Sequence, residues 1–149
     1  MATKVKRKRY RYAEGTDVLV AKSQEEVRKL VVDKMGAQKY GTMADRAREF
    51  VIFELAGVPH SIKVLPYDTE AEHRRVWRCV VLLVKALWTL VESEMLTVEQ
   101  ALLPTVALPG GQSLAEALTG QVRGALQQGI MPQLFPALTN EKSEARRHD

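Results

Sequence analysis

Cysteine occurs once in the chain, at Cys79, and histidine three times, at His60, His73 and His148. A lone thiol excludes an internal disulfide framework and suits a reducing compartment. His73 and Cys79 lie on well-separated faces of a helix, since six residues turn it by about 600°. The scattered histidines offer no metal-ligand spacing, so neither a metal nor a cofactor is expected. The Gly110–Gly111 pair in "LPGGQS" lacks the longer Gly-rich pattern and lysine of a phosphate loop, and reads as a turn. No apolar run reaches the roughly 18 to 20 residues of a membrane span, because Lys85 interrupts the longest candidate. The charged N-terminus has no apolar segment behind it, unlike a secretory leader. The expectation is a cytoplasmic protein with no membrane partner. No pair of catalytic groups can be read from the spacing, so a non-enzyme is expected.

What the chain does have is charge of one sign in one place. Its net charge is +4, yet the first twelve residues hold Lys4, Lys6, Arg7, Lys8, Arg9 and Arg11 and no acid. The remainder keeps 16 basic against 18 acidic residues, a net −2. The basic character therefore belongs to a leading arm, expected to be flexible over 1–15. Tyr10 and Tyr12 add flat faces on which bases can stack. Cations that neutralise phosphates release counterions; six on duplex DNA give a salt slope of roughly −5, about a thousandfold loss on a fourfold rise in salt. The arm can equally be a solubility tail, a segment docked on the acidic body of a neighbour, or a strand added to a sheet edge.

Capping pairs organise the rest. Ser23 with Glu26, Thr69 with Glu72, Thr97 with Gln100 and Ser113 with Glu116 each have capping-box spacing. They predict helices over about 24–35, 70–95, a short third one ending before Pro104, and 114–128. Gly36 and Gly129 are the stops of the first and last. "TDVLVA" at 16–21 reads as a short strand. "REFVIFELAG" and "HSIKVLP" read as an antiparallel hairpin turning at "GVP" (57–59), with "QKYGTM" at 38–43 as a further strand. "MPQLFPAL" is expected to lie as an apolar strap, since Pro132 and Pro136 forbid regular helix. The expected fold is α+β: a small antiparallel sheet packed on a long central helix, with two shorter C-terminal helices. One domain covers 16–139, and 140–149 form a frayed tail.

On the long helix Arg74, Arg78, Lys85 and Glu92 fall within about 40° of one another. Apolar residues, Val76, Trp77, Val80, Leu83, Val84, Leu87, Trp88 and Val91 among them, cover most of the remaining circumference, which predicts burial on more than two sides. The polar line is either a solvated edge or an anion-binding groove with a tryptophan beside it. Cys79 reads as a small buried residue, and His60 as an ordinary strand residue.

The segment from Arg74 to Leu138 resembles a family of small phage- and prophage-encoded proteins. The shared features are Trp77-Arg78, Lys85-Ala86, Val91-Glu92-Ser93, the turn Leu108-Pro109-Gly110-Gly111 and the tail Met131-Pro132-Gln133-Leu134. The chain departs from the pattern at Glu94, where the family has glycine, and at Leu87-Trp88, where it is more polar. The likeness implies a phage context, a host-cell cytoplasm, and no particular activity.

Two functions fit. The first is a phage-type accessory protein that binds DNA or RNA through Lys4, Lys6, Arg7, Lys8, Arg9, Tyr10, Arg11 and Tyr12, with Arg74, Arg78 and Lys85 as a second contact. The second is a counter-defence module that engages a host or phage protein or sequesters an anionic nucleotide. Self-association fits either.

Overall fold

A computed structural model describes residues 11–45 and 48–129. Helix α1 (Val20–Arg28) runs on into a π-helical stretch, Lys29–Lys34, where the Met35 amide reaches back five residues to the Leu30 carbonyl at 3.0 Å. Gly36, at φ +86°, then releases the chain into the sheet. Strands β1 (Lys39–Asp45), β2 (Arg48–Leu55) and β3 (Val58–Val64) form an antiparallel meander in that order. Helix α2 (Glu70–Glu92) follows, then α3 (Val98–Leu102), a 3-10 turn (Leu103–Thr105) and α4 (Leu114–Gln128). The class is α+β, with three strands and four α-helices among the described residues; α1 precedes the sheet and two short helices follow α2.

The N-terminal part departs from the sequence reading. Residues 16–19 form no strand, and α1 begins at Val20 with Leu19 as an N-cap that makes no side-chain bond. Ser23 is not a cap but a fully buried residue within the helix. Val18 and Val20 favour a strand locally, yet Val20, Ser23, Val27, Leu30 and Val31 continue one helical stripe. Burial of Val27 and Val31 outweighs the weak preference of so short a run.

The other three caps form, one of them as the full reciprocal box. Thr69 accepts from the Glu72 amide at 3.1 Å, Ser113 accepts from the Glu116 amide at 3.2 Å, and Thr97 with Gln100 closes a reciprocal box. Gly129 ends α4 at φ +67°. The hairpin turns at Ala56–Gly57, both at positive φ, rather than at 57–59. This two-residue turn matches the right-handed strand twist and places Val58 opposite Leu55. Pro59 sits in β3 itself, which is an edge strand and tolerates the missing donor.

One sheet face is covered. Val51, Phe53, Leu55, His60, Ile62 and Val64 point inward, and Val76, Trp77, Val80, Val81 and Val84 of α2 belong to the same core. Val27 and Val31, Met35, Ala37 and Leu102 close it. The burial of α2 is narrower than its apolar circumference suggests. Leu82 and Leu83 are exposed, while Leu87 and Trp88 are only partly covered. Past Leu90 the helix ends three residues short of Met95, and Glu94 takes the left-handed conformation at φ +62°. Glycine adopts that conformation without strain, whereas a side chain such as that of Glu94 does not.

Candidate functional site

The line on α2 faces α1 and the segment before it. Arg78 donates from Nη1 to Glu26 Oε1 at 3.1 Å and to Ser23 Oγ at 3.5 Å, and Arg74 donates from Nε to the Thr16 carbonyl at 3.3 Å. Ser23 and Glu26, spaced as a cap in the sequence, serve Arg78 instead. Lys85 is exposed, and none of the three lines a described cavity. The first two cations thus form a polar seam between helices. Arg75, off this line, bonds Glu72 at 2.8 Å and Cys79 Sγ at 3.6 Å.

Of the arm, Lys4, Lys6, Arg7, Lys8, Arg9 and Tyr10 lie outside the described residues, as do "MPQLFPAL" and the tail. Arg11 is tied down: its guanidinium bonds Glu72 at 3.1 and 3.5 Å, and Glu72 also holds Arg75. Both arginines hold the Glu72 carboxyl below its ordinary range, Arg75 contributing most. The root of the arm is therefore fastened at the start of α2, with Tyr12 exposed beside it. Two further cations of the described body are paired with carboxylates, Arg28 with Glu25 and Asp33 and Lys39 with Glu54.

The most elaborate polar cluster was missed from the sequence. Glu49, whose side chain is 16% exposed, points inward from β2. It accepts from Tyr67 Oη at 2.6 Å, from Trp77 Nε1 at 2.7 Å and from His73 Nε2 at 3.0 Å. The Tyr67 and His73 rings stack at 3.9 Å. Burial pushes the Glu49 carboxyl upward, but the three donors outweigh it and hold the group below its ordinary value. Tyr67, donating to that carboxylate, is pushed up to about 12. A signal was present: Glu49 alternates with Val51, Phe53 and Leu55, and an acid on a buried strand face requires donors. All three donors belong to the fold, so the cluster works as a clasp joining β2, the 65–69 connection and α2.

His60 is 5% exposed, stacks on Phe53 at 5.0 Å and lies 3.0 Å from Thr105 Oγ1 through Nδ1. The Thr105 hydroxyl donates to the Leu102 carbonyl at 2.7 Å, so the shared proton resides on His60 Nδ1. Burial pushes the His60 value down. The residue pins the 3-10 turn to β3.

Two apolar surfaces stand out among the described residues. Across the outer sheet face a trough of about 410 Å³ passes over Gly41, Ile52 and Ser61, flanked by Lys39, Glu54 and Pro59; Met43 is 48% exposed on the same face. Along α4 a groove of about 700 Å³ is lined by Leu114, Leu118, Val122 and Leu126, with Leu103 and Pro104 opposite. Among the described residues no three His, Cys, Asp or Glu side chains converge as a metal set, and no helix is long and apolar enough to cross a membrane. No family model, curated protein or solved structure matches the chain.

Proposed function

We propose that the protein is a non-enzymatic, phage-type accessory protein that binds nucleic acid through its basic arm. The observation that carries this reading is charge segregation: five cations precede Arg11 without an acid, while Arg11 itself and Arg28, Arg75 and Arg78 of the described body are engaged by carboxylates. With Arg11 held by Glu72, Lys4, Lys6, Arg7, Lys8 and Arg9 are left for phosphates, and Tyr10 and Tyr12 for base stacking. Their fastened root gives the arm a fixed point of departure. Contacts of this kind carry affinity and little sequence information.

The test is binding of single- and double-stranded DNA and RNA at two salt concentrations by the full chain and by a full-length variant with those five cations changed to glutamine. On duplex the wild-type slope is expected near −4.5, roughly a 500-fold loss on a fourfold rise in salt, and the variant slope near zero. Equal, negligible binding by both proteins removes the proposal.

A second reading is a counter-defence module that captures a protein or an anionic nucleotide. The protein form draws on the uncovered outer sheet face with Met43 and Ile52. For the nucleotide form, thermal shift against a nucleotide panel with wild type and Lys85→Ala is decisive; silence from both proteins eliminates it.

A further inference from the structure

We infer that the outer edge of β1 pairs antiparallel with the same edge of a second copy of this chain, centred on Thr42, so that two three-stranded sheets join into one. The inference is independent of the nucleic-acid reading.

The two edges of the sheet differ. On β3 the Pro59 ring removes an amide donor, the Pro59 carbonyl accepts from the Ala107 amide at 2.9 Å, and His60 bridges to Val106. On β1 the seven residues Lys39–Asp45 pair only with β2 among the described residues. This strand contains no proline, and its only charges stand at its two ends, Lys39 and Asp45. Thr42 and Ala44 lie opposite the inward Val51 and Glu49 yet are exposed, so no described helix overhangs this edge. Such an edge is a template for a further strand.

The edge is complementary to itself. Antiparallel pairing about Thr42 sets Lys39 opposite Asp45 of the second copy and Gly41 opposite Met43 of the second copy, each twice by symmetry. Within one chain Lys39 stands opposite Glu54, with 3.2 Å between the charged atoms, and Asp45 stands opposite Arg48. Each outer row of the joined sheet then reads Glu54, Lys39, Asp45, Arg48, the last two from the second copy. Charge alternates at every step, the arrangement that stabilises neighbouring strands. Sliding the pair by two residues, the smallest slip that keeps the faces, takes Lys39 away from Asp45.

Shape agrees with charge. The trough of about 410 Å³ on the outer face passes over Gly41, where an added Cβ would meet only Ile52, at 3.8 Å. Met43 is 48% exposed on that face, and in this register it stands beside Gly41 of the second copy. Its flexible thioether chain fills the space that glycine leaves, against Ile52 of the second copy.

The experiment is sedimentation of the full chain over a range of concentrations, as wild type, Lys39→Asp, Asp45→Lys and the double reversal. It is joined by oxidative cross-linking of Thr42→Cys and Asp45→Cys in a Cys79→Ala background. The expected result is a reversible wild-type dimer that each single reversal weakens roughly tenfold, since both symmetric pairs become like-charged. The double reversal is expected to restore most of the association. Intrachain partners cannot produce that rescue, because it leaves Glu54 and Arg48 each facing a like charge. Thr42 meets its own copy with Cα atoms about 4.5 to 5.5 Å apart, within disulfide range, so Thr42→Cys is expected to cross-link. Asp45→Cys, about 20 Å from its copy, is not. Where a reversal unfolds the chain, read as lost far-UV circular dichroism, the cross-linking pair decides alone. A wild type that stays monomeric at every concentration overturns the proposal. So does a dimer whose association neither reversal changes, since another face then joins the copies.

Discussion

Helices α2 and α4 begin in the same way, at a hydroxyl side chain that accepts from the amide three residues on. Both carry apolar residues at helical spacing. In α2, Val76, Trp77, Val80, Val81 and Val84 are all at most 5% exposed, whereas in α4 only Ala125 is buried. The difference lies in what stands opposite. α2 has the inner sheet face on one side and α1 on another; α4 has the short 3-10 turn. Cap and periodicity declare a helix, but neither states how much of its apolar face will meet protein.

Trp77→Ala breaks this comparison most severely. The ring is fully buried and its Nε1 donates to Glu49, so a loss of about 3–5 kcal/mol is expected in urea unfolding. Leu118→Ala on α4 is expected to cost under about 2 kcal/mol. Equal losses at both sites mean that the two helices are equally packed.

Next in size is the clasp behind α2. Glu49→Gln removes a carboxylate from three donors and is expected to cost about 2–3 kcal/mol. Because the folded carboxyl lies below its ordinary value of 4.5, its stabilisation is present above that pH and is lost as pH falls through the lower folded value. Part of the acid sensitivity should therefore disappear in Glu49→Gln. Tyr67 has the opposite sign: with its value raised from 10.0 to about 12, its stabilisation holds below the former and is lost as pH rises through the latter. Stability measured against pH should lack that alkaline step in Tyr67→Phe.

The interhelical seam sharpens the comparison from its other side, since α4 has no such tie to a neighbour among the described residues. Arg78 and Glu26 are partly exposed, and a double-mutant cycle is expected to give a coupling of about 0.5–1 kcal/mol. A coupling near zero reduces the seam to a solvated edge. The smallest effect is expected at the end of α2. Glu94→Gly relieves a left-handed side chain and should raise stability by about 0.5–1 kcal/mol, read as a higher Tm.

Much of the fold was readable because its signals are local. The hairpin, the start of α2 and both ends of α4 rest on caps, prolines and glycines that act over three or four residues. The misreadings have a common origin at the N-terminus. Ser23 with Glu26 looked like a cap because the feature that reassigns them is Arg78, distant in sequence and adjacent in space. Val18 and Val20 looked like strand because the core that buries Val27 and Val31 is contributed by distant elements. The site was legible less fully. Arg74, Arg78 and Lys85 share one line of a helix by spacing alone, but what that line faces could not be read from spacing. Glu49 shares the alternation of Val51, Phe53 and Leu55, but Tyr67, His73 and Trp77 could not be assigned to it from the sequence.

The amino-acid order alone determined where cations concentrate and where elements start and stop, since charge composition and i-to-i+3 hydrogen bonds need no distant partner. Tertiary structure decided which apolar faces are covered and which polar groups are spent. Glu49 meets His73 across 24 positions and Arg78 meets Glu26 across 52. Pairings of that range exist only once the chain has folded, because the entropy of closing such loops is offset by the burial of many contacts together.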